Sequence, residues 1–292
     1  MAFGAGLMKK LLHPYNRRNR LAATFRYLEW QLRRRLGRPW QRRFWGDRVI
    51  TLYPDSSESM WLLYNVVMDW PEFPFIARYL RSGDTAIDIG ANIGVYALWI
   101  SRFLGQNGTL VAFEPVTETF LRLSEQVFRN GLDRIVLERR AVTSVSGSMR
   151  ITTGKDMENH VLMNAAASDG GEVVESVTLD EYIRSTSIQE VHFLKIDVEG
   201  AEPLVLDGAD TLLRQKRIAV IQLEVGAHWK RYGRDLASMA ETLRQYGYTP
   251  FVPDEQGNAV GSVGDWNAAI RGQNLFVTRS VAEVANRLES RS

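Results

Sequence analysis

Four ionisable residues lie within the eight-residue segment KIDVEGAE, which begins at Lys195 and ends at Glu202. The residues before it are apolar and predict a buried strand, and Gly200 permits the turn into a following helix. Alternation along a strand directs Lys195 and Asp197 to the same side, at the edge where parallel sheets bind ligands. We therefore predict a catalytic cluster that contains Asp197, Lys195 and Glu199. For Glu202, the alternative to a role in this cluster is that it only caps the N-terminus of the following helix.

A further acid, Glu224, ends the next apolar run, and His228 follows shortly after it. Both side chains can converge with Asp197 if the two runs form neighbouring strands. Asp197 or His228 can then act as a general base, and Lys195 or a divalent ion can lower the pKa of an acceptor hydroxyl. Carboxylate oxygens suit magnesium, so the candidate metal ligands are Asp197, Glu199 and Glu224. The plainer alternative is that Lys195 only pairs with Glu199 or Glu224.

A glycine-containing turn, DIGANIG, runs from Asp88 to Gly94, where an apolar run ends and a helical pattern begins. Glycines let the backbone approach a ligand, and a helix N-terminus presents N–H groups to an anion. Glu114 ends the next apolar run, 24 residues after Gly90, where a carboxylate can bind ribose hydroxyls. Because Ala91 replaces the second glycine of the dinucleotide fingerprint, we expect an amino-acid carboxylate rather than a pyrophosphate, with Asp88 holding an ammonium group. S-adenosylmethionine carries both groups.

Short apolar runs alternate with helical patterns from Gly83 onward, which is typical of strand–helix–strand units and a mostly parallel sheet. The predicted buried strands are 85–90, 109–114, 134–142, 191–198 and 218–225. The predicted crossover helices are 94–104, 118–130, 202–214 and 234–246. Residues 144–179 interrupt this order and predict an insertion with two edge strands around a polar loop. In that loop, His160 and Asn164 are candidate acceptor-binding residues, and YTPFV and NLFVTR predict a closing strand pair.

Basic residues are concentrated at the N-terminus, where residues 1–48 hold 13 Lys and Arg and two acids, although the whole chain has a net charge of +2. Helical spacing predicts an amphipathic helix whose apolar residues are Leu21, Phe25, Leu28, Leu32 and Leu36. This helix can dock on the catalytic domain or a second subunit, or it can meet anionic lipid or a lipid-linked substrate. We expect no nucleic-acid partner, because the basic residues are confined to this arm.

The composition excludes several classes of protein. The 292 residues include no Cys, which removes disulfide frameworks, thiolate zinc sites and thiol nucleophiles. No apolar run reaches the ~18 residues that a membrane span needs, and the first residues lack the order of a secretory signal. We therefore expect a cytoplasmic protein, with peripheral membrane contact through the basic arm as an open alternative.

Five segments, in this order, resemble the FkbM family of class I S-adenosylmethionine-dependent methyltransferases: GDTAIDIGANIGVYAL, VAFEP, SVTLDEYI, FLKIDVEGAEPLVLDGA and IQLEV. KIDVEGAE is the most specific of these motifs. The resemblance implies an α/β Rossmann-like fold with a mostly parallel seven-stranded sheet, and methyl transfer to a hydroxyl of a sugar, glycan or natural product. It also implies contacts to the methionine end of the cofactor from Asp88, Gly90, Ala91, Asn92 and Gly94, to the ribose from Glu114, and to the adenine from Ala141 and Val142.

We therefore expect a methyltransferase domain at 56–280, preceded by a basic arm at 1–55 and followed by a tail at 281–292. The expected reaction is in-line attack of an acceptor oxygen on the sulfonium methyl of S-adenosylmethionine. Magnesium as a second cofactor and a homo-oligomeric state are open alternatives. Other acceptors, such as a protein, a lipid or a nitrogen, also remain open, as does a non-catalytic scaffold that acts through its arm. The missing glycine argues against an NAD-dependent enzyme.

Overall fold

Strands and helices alternate along the chain in a computed structural model that describes residues 16, 19–67, 69–154, 161–162, 171–271 and 273–290. The two predicted acceptor-binding residues, His160 and Asn164, lie outside the described residues and stay predictions.

The α-helices of the described chain are α1 (Arg20–Leu36), α2 (Ser57–Asn65), α3 (Glu72–Tyr79), α4 (Val95–Ser101), α5 (Thr117–Arg129), α6 (Leu179–Arg184), α7 (Glu202–Asp207), α8 (Asp210–Arg214), α9 (Leu236–Gln245) and α10 (Val281–Glu289). A 3₁₀ helix spans Ala227–Tyr232. The strands are β1 (Trp40–Phe44), β2 (Arg48–Leu52), β3 (Thr85–Ile89), β4 (Thr109–Phe113), β5 (Ile135–Glu138), β6 (Ala141–Val142), β7 (Gly147–Ile151), β8 (Val161–Leu162), β9 (Glu172–Val177), β10 (Val191–Ile196), β11 (Ile218–Glu224), β12 (Thr249–Pro253), β13 (Ala259–Ser262) and β14 (Asn274–Thr278).

The main sheet has eight strands in the order β13-β12-β14-β11-β10-β3-β4-β5. The five strands from β11 to β5 are parallel to one another, and β14 runs antiparallel between β11 and β12. The seven strands from β12 to β5 form the mostly parallel sheet that the sequence predicts, so the Rossmann-like α/β fold is confirmed. β13 adds an eighth, antiparallel strand at the β12 edge.

The central strands are mostly apolar because both faces of the sheet are covered. Ala86 pairs with Phe193 in register, and both side chains belong to the core cluster on one face. Their sequence neighbours, Ile87 and Leu194, also pair and belong to the cluster on the other face. Alternation along each strand therefore fills two hydrophobic layers at once.

The insertion contains the two predicted strands, as β7 and β9, but they belong to a separate sheet. Residues 134–142 form two strands rather than one, because the chain leaves the main sheet after β5 at Glu138. β6 then joins a separate four-stranded sheet in the order β6-β9-β7-β8, so the predicted edge strands do not extend the main sheet. This second sheet has its own small core, which includes Ala141, Ile151 and Val174. The predicted helix 202–214 is likewise divided, into α7 and α8.

The N-terminal helix α1 docks on the domain through a face that the sequence analysis did not identify. Its buried residues are Ala23, Tyr27 and Trp30, and the last two make ring contacts with Tyr64 of α2. Large aromatic side chains bury more area than leucines, which favours this face. Docking of this helix on the catalytic domain, one of the predicted alternatives, is therefore what the structure shows. The leucine-rich face does not take part, because its members are 55–76% exposed: Leu21, Phe25, Leu28, Leu32 and Leu36.

The two ends of the described chain share the main core. Ile50 and Leu52 of the β1–β2 hairpin lie in the same hydrophobic cluster as Val284 and Leu288 of α10. The domain boundaries at 55 and 280 stay predictions, and these contacts place apolar residues from both predicted extensions in the domain core. No helix in the described ranges is long and apolar enough to cross a membrane.

Gly90 allows the ends of β3 and β10 to meet. A Cβ atom on Gly90 would lie 1.8 Å from the carbonyl oxygen of Asp197, whereas a Cβ on Gly37 would have no atom within 4 Å. Both glycines have positive φ, of 80° and 65°. We expect Gly90→Ala to lower the free energy of unfolding by about 3 kcal/mol or more, and Gly37→Ala by about 1–2 kcal/mol from its φ alone. Urea denaturation measures both, and equal losses would contradict the close packing.

Candidate active site

The carboxyl ends of β3, β4 and β10 open onto a cleft, which also takes part of its wall from the second sheet. Of the residues predicted to contact a cofactor, those that line it are Gly90, Asn92, Glu114, Ala141 and Val142. Parallel strands commonly bind ligands at this edge. Asp197, Lys195 and Glu199 from the predicted catalytic cluster also line the cleft.

Three predicted cofactor residues do not line the cleft in this structure, and their contact with the cofactor stays a prediction. Asp88 is fully buried beneath it and Ala91 is 2% exposed. Gly94 packs against α5, since a Cβ atom there would lie 2.6 Å from Leu123. These residues shape the turn rather than its ligand-facing surface.

Lys195 lies between two carboxylates at the base of the cleft. Its Nζ atom is 3.1 Å from Oδ2 of Asp197 and 3.4 Å from Oδ1 of Asp88, and it lies 4.6 Å from the ring centroid of Tyr96. The alternative pairing of Lys195 with Glu199 or Glu224 is therefore wrong. The reason is the strand register, which places Lys195 beside Asp88 on the neighbouring strand.

Burial and charge act in opposite directions within this cluster. Burial opposes the charged form of Lys195, but the carboxylates of Asp197 and Asp88 outweigh burial and raise the pKa of the ammonium. Burial raises the pKa of Asp88, and Lys195 offsets part of that rise. The Lys195 side chain is 3% exposed and that of Asp197 is 33% exposed, so Asp197 presents the cluster to the cleft.

The N–H groups of the glycine turn are partly occupied by the protein's own acids. Asn92 N–H donates to Glu114 at 3.1 Å, and Ile93 N–H donates to Glu58 of α2 at 3.1 Å. The sequence predicts that this helix start offers free N–H groups to an anion. That prediction is wrong for Asn92 and Ile93, because their N–H groups already have acceptors in the protein. Acidic side chains are favourable there because they satisfy unpaired N–H groups at a helix N-terminus.

The wall of the cleft is consequently rich in buried carboxyl groups. Burial raises the pKa of Glu114 to about 7 and raises the pKa of Glu58 well above its ordinary range. Both residues line the cleft together with Asp197. A ligand that carries positive charge would complement this wall and favour the ionised carboxylates.

Three acids converge at the rim, as the sequence analysis expected. Carboxylate oxygens of Asp197, Glu199 and Glu224 lie within 4.8 Å of one another. Burial and the nearby Asp197 raise the pKa of Glu224 to about 9. His228 has an exposed side chain on the 3₁₀ helix and is not part of this cluster. Glu199 has a φ of 55°, an uncommon conformation that often occurs at functional sites.

Glu202 holds the turn that presents these acids. Its Oε1 atom accepts hydrogen bonds from the N–H groups of Val198 and Gly200, at 2.8 and 3.2 Å. Its Oε2 atom accepts a hydrogen bond from Nε1 of Trp229 at 2.7 Å. Glu202 therefore ties the turn to the 3₁₀ helix. Both carboxylate oxygens of Glu202 therefore have protein partners.

A buried polar network behind Tyr96 was missed in the sequence analysis. The Tyr96 hydroxyl donates to Asp69 at 2.5 Å and accepts from Gln222 at 3.0 Å. Gln222 also donates to Asn274 at 3.2 Å, and Asn274 donates to Glu72 at 3.2 Å. Gln222 inside the apolar run IAVIQLEV was the available signal, because a polar residue in a buried strand needs a partner.

Glu72 gives this network a pH dependence. Burial and the nearby Asp69 raise its pKa to about 8, and its Oε2 atom accepts no hydrogen bond within the described chain. The folded protein thus keeps a proton that the unfolded chain releases above about pH 4.5, so this group lowers stability as pH rises, by up to about 1.4 kcal/mol per unit until about pH 8.

We expect Glu72→Gln to reduce this decline and to be more stable than wild type at pH 8, with little difference near pH 5. Urea denaturation at both pH values measures the effect. Glu255→Gln, at an exposed position, is the matched control. An unchanged dependence of stability on pH in Glu72→Gln would contradict the assignment.

Comparison with known proteins identifies the family of this chain. The methyltransferase FkbM domain matches residues 88–250. The hexuronic acid methyltransferase AglP of Haloferax volcanii is 24% identical over 171 residues, which cover 59% of this chain and 69% of AglP. The 31-O-demethyl-FK506 methyltransferase FkbM of Streptomyces tacrolimicus is 29% identical over 161 residues, which cover 45% of this chain and 61% of that protein, less than two thirds of its length.

A solved structure of methyltransferase FkbM from Methylobacillus flagellatus superimposes with a TM-score of 0.45 at 16% identity, covering 75% of this chain and 53% of that one. The domain match itself extends over more than half of the present chain. The protein therefore belongs to the FkbM methyltransferase family and is an S-adenosylmethionine-dependent methyltransferase.

Proposed function

We propose that this protein transfers a methyl group from S-adenosylmethionine to a hydroxyl oxygen of a sugar, glycan or related small molecule. The observation that carries the proposal is the position of Asp197, which is partly exposed at the cleft and bound to a buried ammonium. Two relatives support the acceptor class, since one is a hexuronic acid methyltransferase and the other a 31-O-demethyl-FK506 methyltransferase.

The acid-rich wall fits the cofactor by charge. S-adenosylmethionine, when bound, supplies an electrophilic methyl group on a cationic sulfonium, and its amino-acid end carries an ammonium. Glu58 and Asp197 provide carboxyl groups on the lining that favour such cations. Asp88 contributes through Lys195 rather than by direct contact, because it is fully buried.

The remaining cofactor contacts follow from the lining of the cleft. Gly90 and Asn92 lie at the amino-acid end of the proposed site. Each carboxylate oxygen of Glu114 accepts one backbone N–H and keeps a lone pair that a ribose hydroxyl can use. Ala141 and Val142 provide an apolar surface for the adenine.

Asp197 is proposed as the general base. A sugar hydroxyl is a weak nucleophile, and a positioned base contributes about 10²- to 10⁴-fold to such a reaction. Lys195 is a positioning residue, because its ammonium binds Asp197 and favours the ionised carboxylate. His228 is the competing candidate for the base, since its side chain is exposed close behind the Gly200 turn.

The cluster of Asp197, Glu199 and Glu224 favours a second version of the mechanism, in which these three acids bind magnesium. Their oxygens lie within 4.8 Å of one another. Two oxygens on opposite sides of magnesium are about 4.2 Å apart, so small side-chain rotations would suffice. A cation there would offset the mutual repulsion of the acids and lower the pKa of a bound hydroxyl.

Transfer of a labelled methyl group tests the proposed function. The purified full chain is incubated with methyl-labelled S-adenosylmethionine and a panel of hexuronic acids, neutral sugars, glycolipids, amines and proteins. Each reaction is run with magnesium and with a chelator. We expect label on an oxygen of a carbohydrate acceptor. Label on amines or proteins alone would contradict the acceptor class, and an equal rate with the chelator would contradict the version with magnesium.

The base assignment predicts different results for two substitutions. We expect Asp197→Asn to lower kcat by about 10²- to 10⁴-fold, with S-adenosylhomocysteine affinity retained within a few-fold, because the amide cannot accept the proton. We expect His228→Ala to keep most of the activity. Steady-state kinetics with the acceptor found above measures both. A large loss of kcat in His228→Ala, with kcat retained in Asp197→Asn, would identify His228 as the general base instead.

A further inference from the structure

The outer face of α1 carries a row of large apolar side chains in solvent. The exposed fractions are 76% for Leu21, 70% for Phe25, 55% for Leu28, 62% for Leu32 and 59% for Leu36. Single exposed leucines are ordinary on protein surfaces, but a contiguous set usually marks an interaction site. We call these five residues the α1 stripe.

The α1 stripe is continuous and faces away from the domain. At 3.6 residues per turn, its members occupy an arc of roughly 80° and extend over about 22 Å of helix. The docked residues Ala23, Tyr27 and Trp30 occupy the opposite side of the same helix. The domain therefore fixes α1 so that the stripe points outward.

Basic residues accompany the α1 stripe. The exposed arginines on α1 and just after it are Arg20, Arg33, Arg34, Arg35 and Arg38. The sequence of α1 contains one acid, Glu29, and Arg42 of β1 forms a salt bridge with it. By helical spacing, Arg33 and Arg35 lie on either side of the α1 stripe, so this surface is apolar in the middle and positively charged beside it.

We propose that the α1 stripe binds the surface of an anionic phospholipid membrane, with α1 lying parallel to it. An apolar face with flanking arginines is the pattern by which interfacial helices insert into the headgroup region. Arginine side chains can reach phosphate groups while their stems lie along the apolar face. This surface lies outside the FkbM domain match, which begins at residue 88, so the proposal does not depend on the acceptor.

A second copy of the chain is a less suitable occupant. Helices that pair through an apolar seam usually carry complementary charges beside it. Here the acid of α1 is already bound by Arg42, so two stripes in contact would bring arginine-rich flanks together. Anionic lipid supplies the opposite charge, which favours the membrane.

Vesicle co-sedimentation of the full chain tests the proposal. The vesicles contain phosphatidylcholine alone or phosphatidylcholine with phosphatidylglycerol. The variants are Phe25→Glu and Leu32→Glu in the stripe and the double variant Arg33→Gln with Arg35→Gln beside it. Val145→Glu is the matched control, because Val145 is 69% exposed and lies on the turn between β6 and β7. Circular dichroism and sedimentation velocity are measured for every variant.

We expect the wild type and Val145→Glu to bind the anionic vesicles and to bind phosphatidylcholine weakly. Each stripe variant should lose about tenfold or more in apparent affinity, because a carboxylate replaces an apolar group that enters the headgroup region of the membrane on binding. The arginine variant and added salt should each weaken binding several-fold.

Two results would overturn the proposal. One is the absence of wild-type binding to anionic vesicles, and the other is binding that folded Phe25→Glu and Leu32→Glu retain in full. A wild-type dimer that Phe25→Glu converts to a monomer, without vesicle binding, would assign the stripe to self-association instead.

Discussion

A single buried ammonium group, that of Lys195, holds the centre of this site. It pairs with Asp88 at the end of β3 and with Asp197 just beyond β10, so two neighbouring strand ends share one cation. Removal of one partner from such a buried pair typically costs about 3–5 kcal/mol, because an uncompensated charge remains. Gly90 and the Asp197 backbone also come into close contact at these two strand ends. The strand ends, the glycine turn and the exposed carboxylate of Asp197 are therefore parts of one structure.

Parts of the cleft come from outside the matched domain. Glu58 of α2 binds the N–H of Ile93, and Asp69 binds the hydroxyl of Tyr96, whose ring lies beside Lys195. Both acids precede residue 88, where the domain match begins. The N-terminal region thus contributes a carboxyl group to the wall of the cleft and another to the network behind it, and it also carries α1.

The sequence predicted the sheet because its signals are local and strong. Apolar runs, glycine turns and acids at strand ends are visible without any knowledge of distant contacts, and KIDVEGAE placed Asp197 and Lys195 correctly on one side of a strand. Partners across strands were less predictable, since strand order decides that Lys195 meets Asp88. The docked face of α1 was also missed, because leucine periodicity alone cannot show that Tyr27 and Trp30 have a buried partner in α2.

Calorimetric titration with S-adenosylhomocysteine tests the central claim most directly, namely that the acid-rich cleft at these strand ends is the cofactor site. The titration compares wild type with Glu114→Ala, and with Glu255→Ala as an exposed control. The account predicts micromolar binding by wild type and Glu255→Ala, and a loss of at least about tenfold in Glu114→Ala, which lacks the ribose acceptor. No binding by folded wild type, or equal binding by Glu114→Ala, would contradict it.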